Sequence, residues 1–161
     1  DWAFATGLTE GCPTLGELTC PELAVTRDEM AQFMWRFKSL PLATVSAAFD
    51  DVSADATYGP AVNWLAENGI TLGCTPTSYC PDGTVTRAEM AAFLWRLEGS
   101  PEGSTPAGFT DVPDESFAGE AVDWLLASET TTGCTTTAYC PEGLVTRAEI
   151  FTFLKRMDGA A

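Results

Sequence analysis

The chain has 161 residues, enough for one domain or one repeat array with a core of its own. Eight Lys and Arg against 23 Asp and Glu leave a net charge of −15, which works against nucleic-acid partners and against an anionic bilayer. Histidine is absent, which excludes imidazole bases, His-dependent triads and His metal ligands, while 45% hydrophobic residues mark a chain that folds. No stretch approaches the length of an apolar membrane span, so no membrane insertion is expected. Asp1-Trp2-Ala3 does not read as a signal peptide, and the expectation is a soluble, mature or trimmed chain.

A repeat with a period of 60 residues organises the sequence. Thr26, Thr86 and Thr146 superpose under that shift, as do Arg27, Arg87 and Arg147, and Phe33, Phe93 and Phe153. The divisions are 1–38 for a first repeat, 39–48 for a linker, 49–98 for a second repeat, 99–108 for a second linker and 109–158 for a third repeat. Both linkers are rich in Pro, Gly and small residues, which suits surface connections.

Taken in chain order, the first repeat begins part-way through a helix: Trp2 aligns with Trp64 and Trp124, so the opening element is missing. Either upstream residues are absent from this chain or a neighbouring chain, such as a second copy in a homo-oligomer, completes the repeat. The second and third repeats open on Phe49-Asp50-Asp51-Val52 and Phe109-Thr110-Asp111-Val112 and run into AVNWLAENG and AVDWLLASE. Helical spacing of Val62 and Leu65 makes the first of these an amphipathic helix, capped at Gly69. The third repeat has Glu129 and Thr130 at that cap, which predicts a looser connection.

The cysteines follow: Cys12/Cys20, Cys74/Cys80 and Cys134/Cys140 fall at equivalent repeat positions. One local disulfide per repeat is the economical pairing, and it implies an oxidising compartment outside the cytoplasm. The rival is a metal thiolate site, but the spacing is not that of common zinc sites and no His adds ligands, so no metal and no cofactor is expected.

Each repeat then carries Thr-x-x-Glu before an apolar run with i, i+3, i+4, i+7 spacing, Met30/Phe33/Met34/Phe37 and its two counterparts. Thr26 with Glu29, Thr86 with Glu89 and Thr146 with Glu149 read as capping boxes opening a second helix. Arg27, Arg87 and Arg147 sit at the first helical position, where a cation opposes the helix dipole. Two explanations stand. One is an ion pair with Asp51 or Asp111. The other is a site for a carboxylate or small anion, built from the guanidinium fork and free N–H groups at the helix start. Arg36, Arg96 and Arg156 lie near helix C-termini, where the dipole alone accounts for them. The tryptophans read as packing residues, while Tyr58, Phe117, Tyr79 and Tyr139 are the aromatic rings placed to stack on a sugar. No nucleophile–base pair is visible, so no enzyme activity is expected.

Phe-x-Asp-Val, a first helix, a loop that opens on Gly and ends in Asp/Glu-Gly, and Val-Thr-Arg-Ala-Glu before a second helix together resemble the S-layer homology domain, and the likeness spans nearly the whole chain. The resemblance implies an all-α fold in a pseudo-trimeric, three-pronged arrangement of helix-loop-helix repeats. It also implies an extracellular, cell-wall or S-layer setting and a non-catalytic anchoring role. The partner would be an anionic or pyruvylated cell-wall polysaccharide, bound in grooves through Arg27, Arg87 and Arg147 with Asp51, Asp111, Tyr58 and Phe117 alongside. The alternative is a subunit that self-assembles into a surface layer or filament. Thr57 and Tyr58, or Phe117, stand near the place where the family usually has a Trp, and the paired cysteines are additional to the commonest motif.

Overall fold

The structure is a computed structural model, and it describes residues 2–11, 20–46 and 49–159. Among them are six α-helices and no strands: α1 (Trp2–Ala5), α2 (Arg27–Phe37), α3 (Gly59–Glu67), α4 (Arg87–Leu97), α5 (Gly119–Ala127) and α6 (Arg147–Gly159). The fold is all-α, as the resemblance implies. None of these helices is long and apolar enough to cross a membrane.

Local chemistry accounts for where the helices start and stop. The carboxylates of Glu89 and Glu149 accept the N–H of Thr86 and Thr146, both at 2.9 Å, and the threonine hydroxyls accept the N–H of the same glutamates. Glu29 likewise receives the N–H of Thr26 at 3.2 Å, while the Thr26 hydroxyl turns to Asp28. These boxes satisfy donors that a helix start leaves without partners. Pro60 sits in the first turn of α3, where its missing N–H costs nothing.

At the end of α3, Gly69 adopts a left-handed conformation and Ile70 donates to the carbonyl of Leu65 at 2.8 Å. The third repeat does not loosen here, contrary to expectation. Glu129 takes the same left-handed conformation without being glycine, and Thr131 donates to Leu125 at 3.0 Å. Thr130 is buried in place of Ile70, with its hydroxyl 2.9 Å from that of Ser128. A satisfied hydroxyl replaces the apolar contact, so the turn closes equally well.

By contacts the chain divides into two compact units: Asp1–Cys20 with Ala24–Val85, and Pro21–Leu23 with Thr86–Ala161. This division cuts across the sequence repeats. In the first unit α2 packs on α3, and Met30, Met34, Val62 and Leu65 are fully buried. In the second, α4 packs on α5, with Met90, Leu94, Val122 and Leu125 buried in the corresponding places. Each fully buried side chain of this size contributes about 1.5–3 kcal/mol.

Two disulfides are described, Cys74–Cys80 and Cys134–Cys140, each closing one repeat's loop at a Cα–Cα distance of 6.0 Å. The expected Cys12–Cys20 pairing involves Cys12, which lies outside the described residues, as do residues 47 and 48 of the first linker. Each described loop turns at a glycine. At Gly133, φ is +80°, and an added Cβ would stand 2.5 Å from the carbonyl oxygen of Thr135 and 2.7 Å from the ring of Phe109. No side chain fits there. That close approach seats Phe109 against its loop, with its ring 5.8 Å from that of Tyr139.

Candidate anion-binding site

The motif arginines are the first residues of α2, α4 and α6, and all three are buried. A loop of the following repeat surrounds Arg27 and Arg87, and the loop at Pro21–Leu23 of the first repeat meets Arg147. In the second unit, the N–H of Arg87 donates to Gly143 at 2.8 Å and that of Ala88 to Pro141 at 2.9 Å. Thr86 accepts the N–H of Glu89 at 3.2 Å. The first turn of α4 therefore has no donors to spare for a ligand, and the expected site of free N–H groups is not present. The same holds at α6, where Arg147 donates to Leu23 at 2.9 Å and Ala148 to Pro21 at 3.0 Å. At α2, Arg27 donates to Gly83 at 2.8 Å and Asp28 to Pro81 at 3.1 Å.

The guanidinium of Arg87 is equally engaged. Its Nε donates to the carbonyl of Tyr139 at 2.8 Å, its Nη1 pairs with Oε1 of Glu149 at 2.7 Å, and the group lies 4.8 Å from the centre of the Tyr139 ring. Tyr139 returns a bond from its hydroxyl to the carbonyl of Arg87 at 3.0 Å. Arg27 and Tyr79 repeat this clasp in the first unit, at 2.8 Å from Nε and 2.7 Å from the hydroxyl. Arg147 differs: its guanidinium lies 5.5 Å from the ring of Phe151, one turn along its own helix. The opposed helix dipole is thereby offset by carbonyl, carboxylate and ring contacts.

Tyr79 and Tyr139 are thus not exposed stacking rings. Both are 0% exposed, and burial pushes their phenols well above the ordinary tyrosine range, which keeps them neutral donors. Asp51 and Asp111 are not ion-paired with the arginines either. The two oxygens of Asp111 accept the N–H groups of Tyr139 at 2.8 Å and Cys140 at 2.7 Å, and Asp51 does the same for Tyr79 and Cys80, both at 2.7 Å. Desolvation acts to raise both carboxyls, but the two backbone N–H groups, with the nearby arginine, bring them below the usual range. Their role in the structure is to fix the loop that grips the arginine. Tyr58 is half-buried, its phenol raised by burial and then by Asp28, Asp82 and Asp51, and Phe117 is 67% exposed.

One hollow in the second unit, of about 240 Å³, is bordered by Arg87, Thr131, Thr132, Glu149, Phe153 and Arg156. It brings together two guanidinium groups and one carboxylate. A larger hollow in the same unit, about 370 Å³, is walled by Glu102, Glu120 and Asp123 and has the wrong sign for an anion. Arg156 is the site residue that sequence reasoning passed over, because its place near a helix C-terminus already explained it. No group of His, Cys, Asp or Glu among the described residues is arranged to hold a metal ion.

The architecture is helical, with a hollow in the second unit bordered by Arg87 at the start of α4 and by Arg156. Residues 48–91 match the family model of the S-layer homology domain. The chain is also similar to an S-layer protein of Bacillus thuringiensis subsp. finitimus, 26% identical over 142 residues that make up 86% of this chain and 17% of that protein. It spans less than a fifth of that relative's length. Both matches support an S-layer homology domain within this chain and a cell-surface or S-layer setting. Domains of this family generally bind cell-wall polysaccharide and are generally non-catalytic.

Proposed function

We propose that this chain is a non-catalytic anchoring module in which three tandem S-layer homology repeats, 1–38, 49–98 and 109–158, hold a host protein on an anionic cell-wall polysaccharide. The observation that carries the reading is the 240 Å³ hollow of the second unit, where Arg87 and Arg156 face one space on a chain whose net charge is −15. A basic hollow on so acidic a surface needs a reason, and an anionic sugar gives one. Arg27, Arg147, Tyr58 and Phe117 remain ligand candidates on the family's pattern, with Phe117 the most exposed ring among them. Asp111 serves the site from behind, through the loop it holds, and Asp51 holds the corresponding loop of the first unit against Arg27.

The binding test is co-sedimentation of the chain with cell walls before and after extraction of their secondary polysaccharide. Retention on intact walls and release from extracted ones is the expected result. Equal retention on both overturns the reading. The similarity to an S-layer protein favours a second reading, a subunit that assembles with copies of itself. Light scattering decides it, since a monodisperse monomer that still binds walls removes the need for assembly.

A further inference from the structure

Arg36 and Arg156 occupy the same repeat position but differ in what meets them. Arg36 directs Nη1 to the carbonyl of Leu8 at 3.5 Å and pairs Nη2 with Oε1 of Glu10 at 2.8 Å. Arg156 directs Nη1 to the carbonyl of Thr130 at 2.9 Å, and this is its one polar contact among the described residues. When Trp2 is laid on Trp124, Leu8 falls on Thr130 and Glu10 falls on Thr132. The first repeat therefore supplies a carboxylate to its own arginine. In the third repeat a short, exposed threonine stands at that position, and it borders the hollow.

We infer that Arg156 captures a carboxylate of the wall glycan in the place that Glu10 takes on Arg36, with the Thr132 hydroxyl beside it. The inference rests on the anchoring reading above and names the residue that discriminates for charge. A guanidinium offers five N–H donors in a fork that matches a carboxylate, and Arg156 has one of them in use. Arg87, in the same hollow, is 5% exposed and already paired with Glu149, so it frames the space while Arg156 supplies the charge that an incoming anion meets. Arg36 is self-occupied by Glu10 and makes no such site.

The test compares retention on wall polysaccharide for the whole chain, Arg156→Gln, Thr132→Glu and the size control Thr132→Gln. A parallel titration with glucuronate follows the Arg156 side-chain resonance by NMR. Arg156→Gln and Thr132→Glu should each weaken binding by about tenfold, the worth of one charged hydrogen bond, while Thr132→Gln, which adds bulk but no charge, should weaken it distinctly less than Thr132→Glu. Thr132→Glu keeps every cation and alters an exposed position, so a loss there reports self-blocking rather than misfolding. Wild-type retention by both charged variants overturns the assignment and leaves anchoring intact. If the wild type itself is not retained, the anchoring reading fails. The glucuronate shift then decides alone: an Arg156 response abolished by Thr132→Glu upholds the assignment, and no response overturns it.

Discussion

Arg87 and Tyr139 hold each other from both ends: the arginine Nε donates to the tyrosine carbonyl at 2.8 Å, and the tyrosine hydroxyl donates to the arginine carbonyl at 3.0 Å. The two residues are 52 positions apart. Their pairing fastens the start of α4 to the disulfide loop of the next repeat, and Arg27 with Tyr79 fastens α2 in the same way. The starts of α2 and α4 are therefore each closed on a loop of the following repeat.

The first prediction concerns that clasp. Tyr139→Phe leaves the ring but deprives the Arg87 carbonyl of its donor, so stability should fall by about 1–2 kcal/mol in denaturant unfolding. Tyr139→Ala, which also empties a fully buried site, should cost about 3–5 kcal/mol. Unchanged midpoints would mean that the ring is peripheral.

Acid should act through Asp51 and Asp111. Their folded carboxyls titrate below the unfolded value, so the stability they contribute is complete above an unfolded pKa of about 3.9 and is lost as pH falls through the lower folded value. Melting curves of the wild type should drop below pH 4 by that rule. Asp111→Asn should be less stable at neutral pH and show a shallower acid decline.

Reduction of the two described disulfides should lower the unfolding free energy by about 2 kcal/mol for each short loop, in the chain-entropy account. Tyr79 and Tyr139 lie immediately before Cys80 and Cys140, so the arginine clasps should loosen at the same time. Amide exchange at Arg27 and Arg87, whose N–H groups donate to Gly83 and Gly143, should speed up on treatment with a phosphine reductant.

Glycine positions separate two kinds of strain. Gly133→Ala must both hold a positive φ and clear a carbonyl oxygen 2.5 Å from its Cβ, whereas Gly7→Ala meets open space at a similar φ. Gly7→Ala should cost about 1 kcal/mol, and Gly133→Ala should cost distinctly more, to the point of poor folding. Thermal melts of the two variants side by side check the order.

The helices and their starts were legible in the sequence because they rest on neighbours within a turn. The Thr86–Glu89 box, the stripe through Met90, Phe93 and Leu94, and the position of Arg87 at the start of α4 all follow from local spacing. What Arg87 does was not legible, since its partners Tyr139 and Glu149 come from the following repeat. Tyr139 looked like an exposed loop ring because loops tend to lie at the surface, and only the packed structure shows its hydroxyl satisfied in the interior. That Asp111 accepts the backbone N–H groups of Tyr139 and Cys140 was not legible either, since those partners lie 28 and 29 positions away. Arg156 was hidden by an explanation sufficient for any helix C-terminus, and the signal that marks it is the exchange of Glu10 for Thr132.

Calorimetric titration of the whole chain with purified wall polysaccharide, intact and with its carboxyl groups reduced to alcohols, bears most directly on anchoring by anion capture. Saturable binding to the intact polymer that weakens at least about tenfold on carboxyl reduction is the predicted result. Equal affinity for both polymers would contradict it.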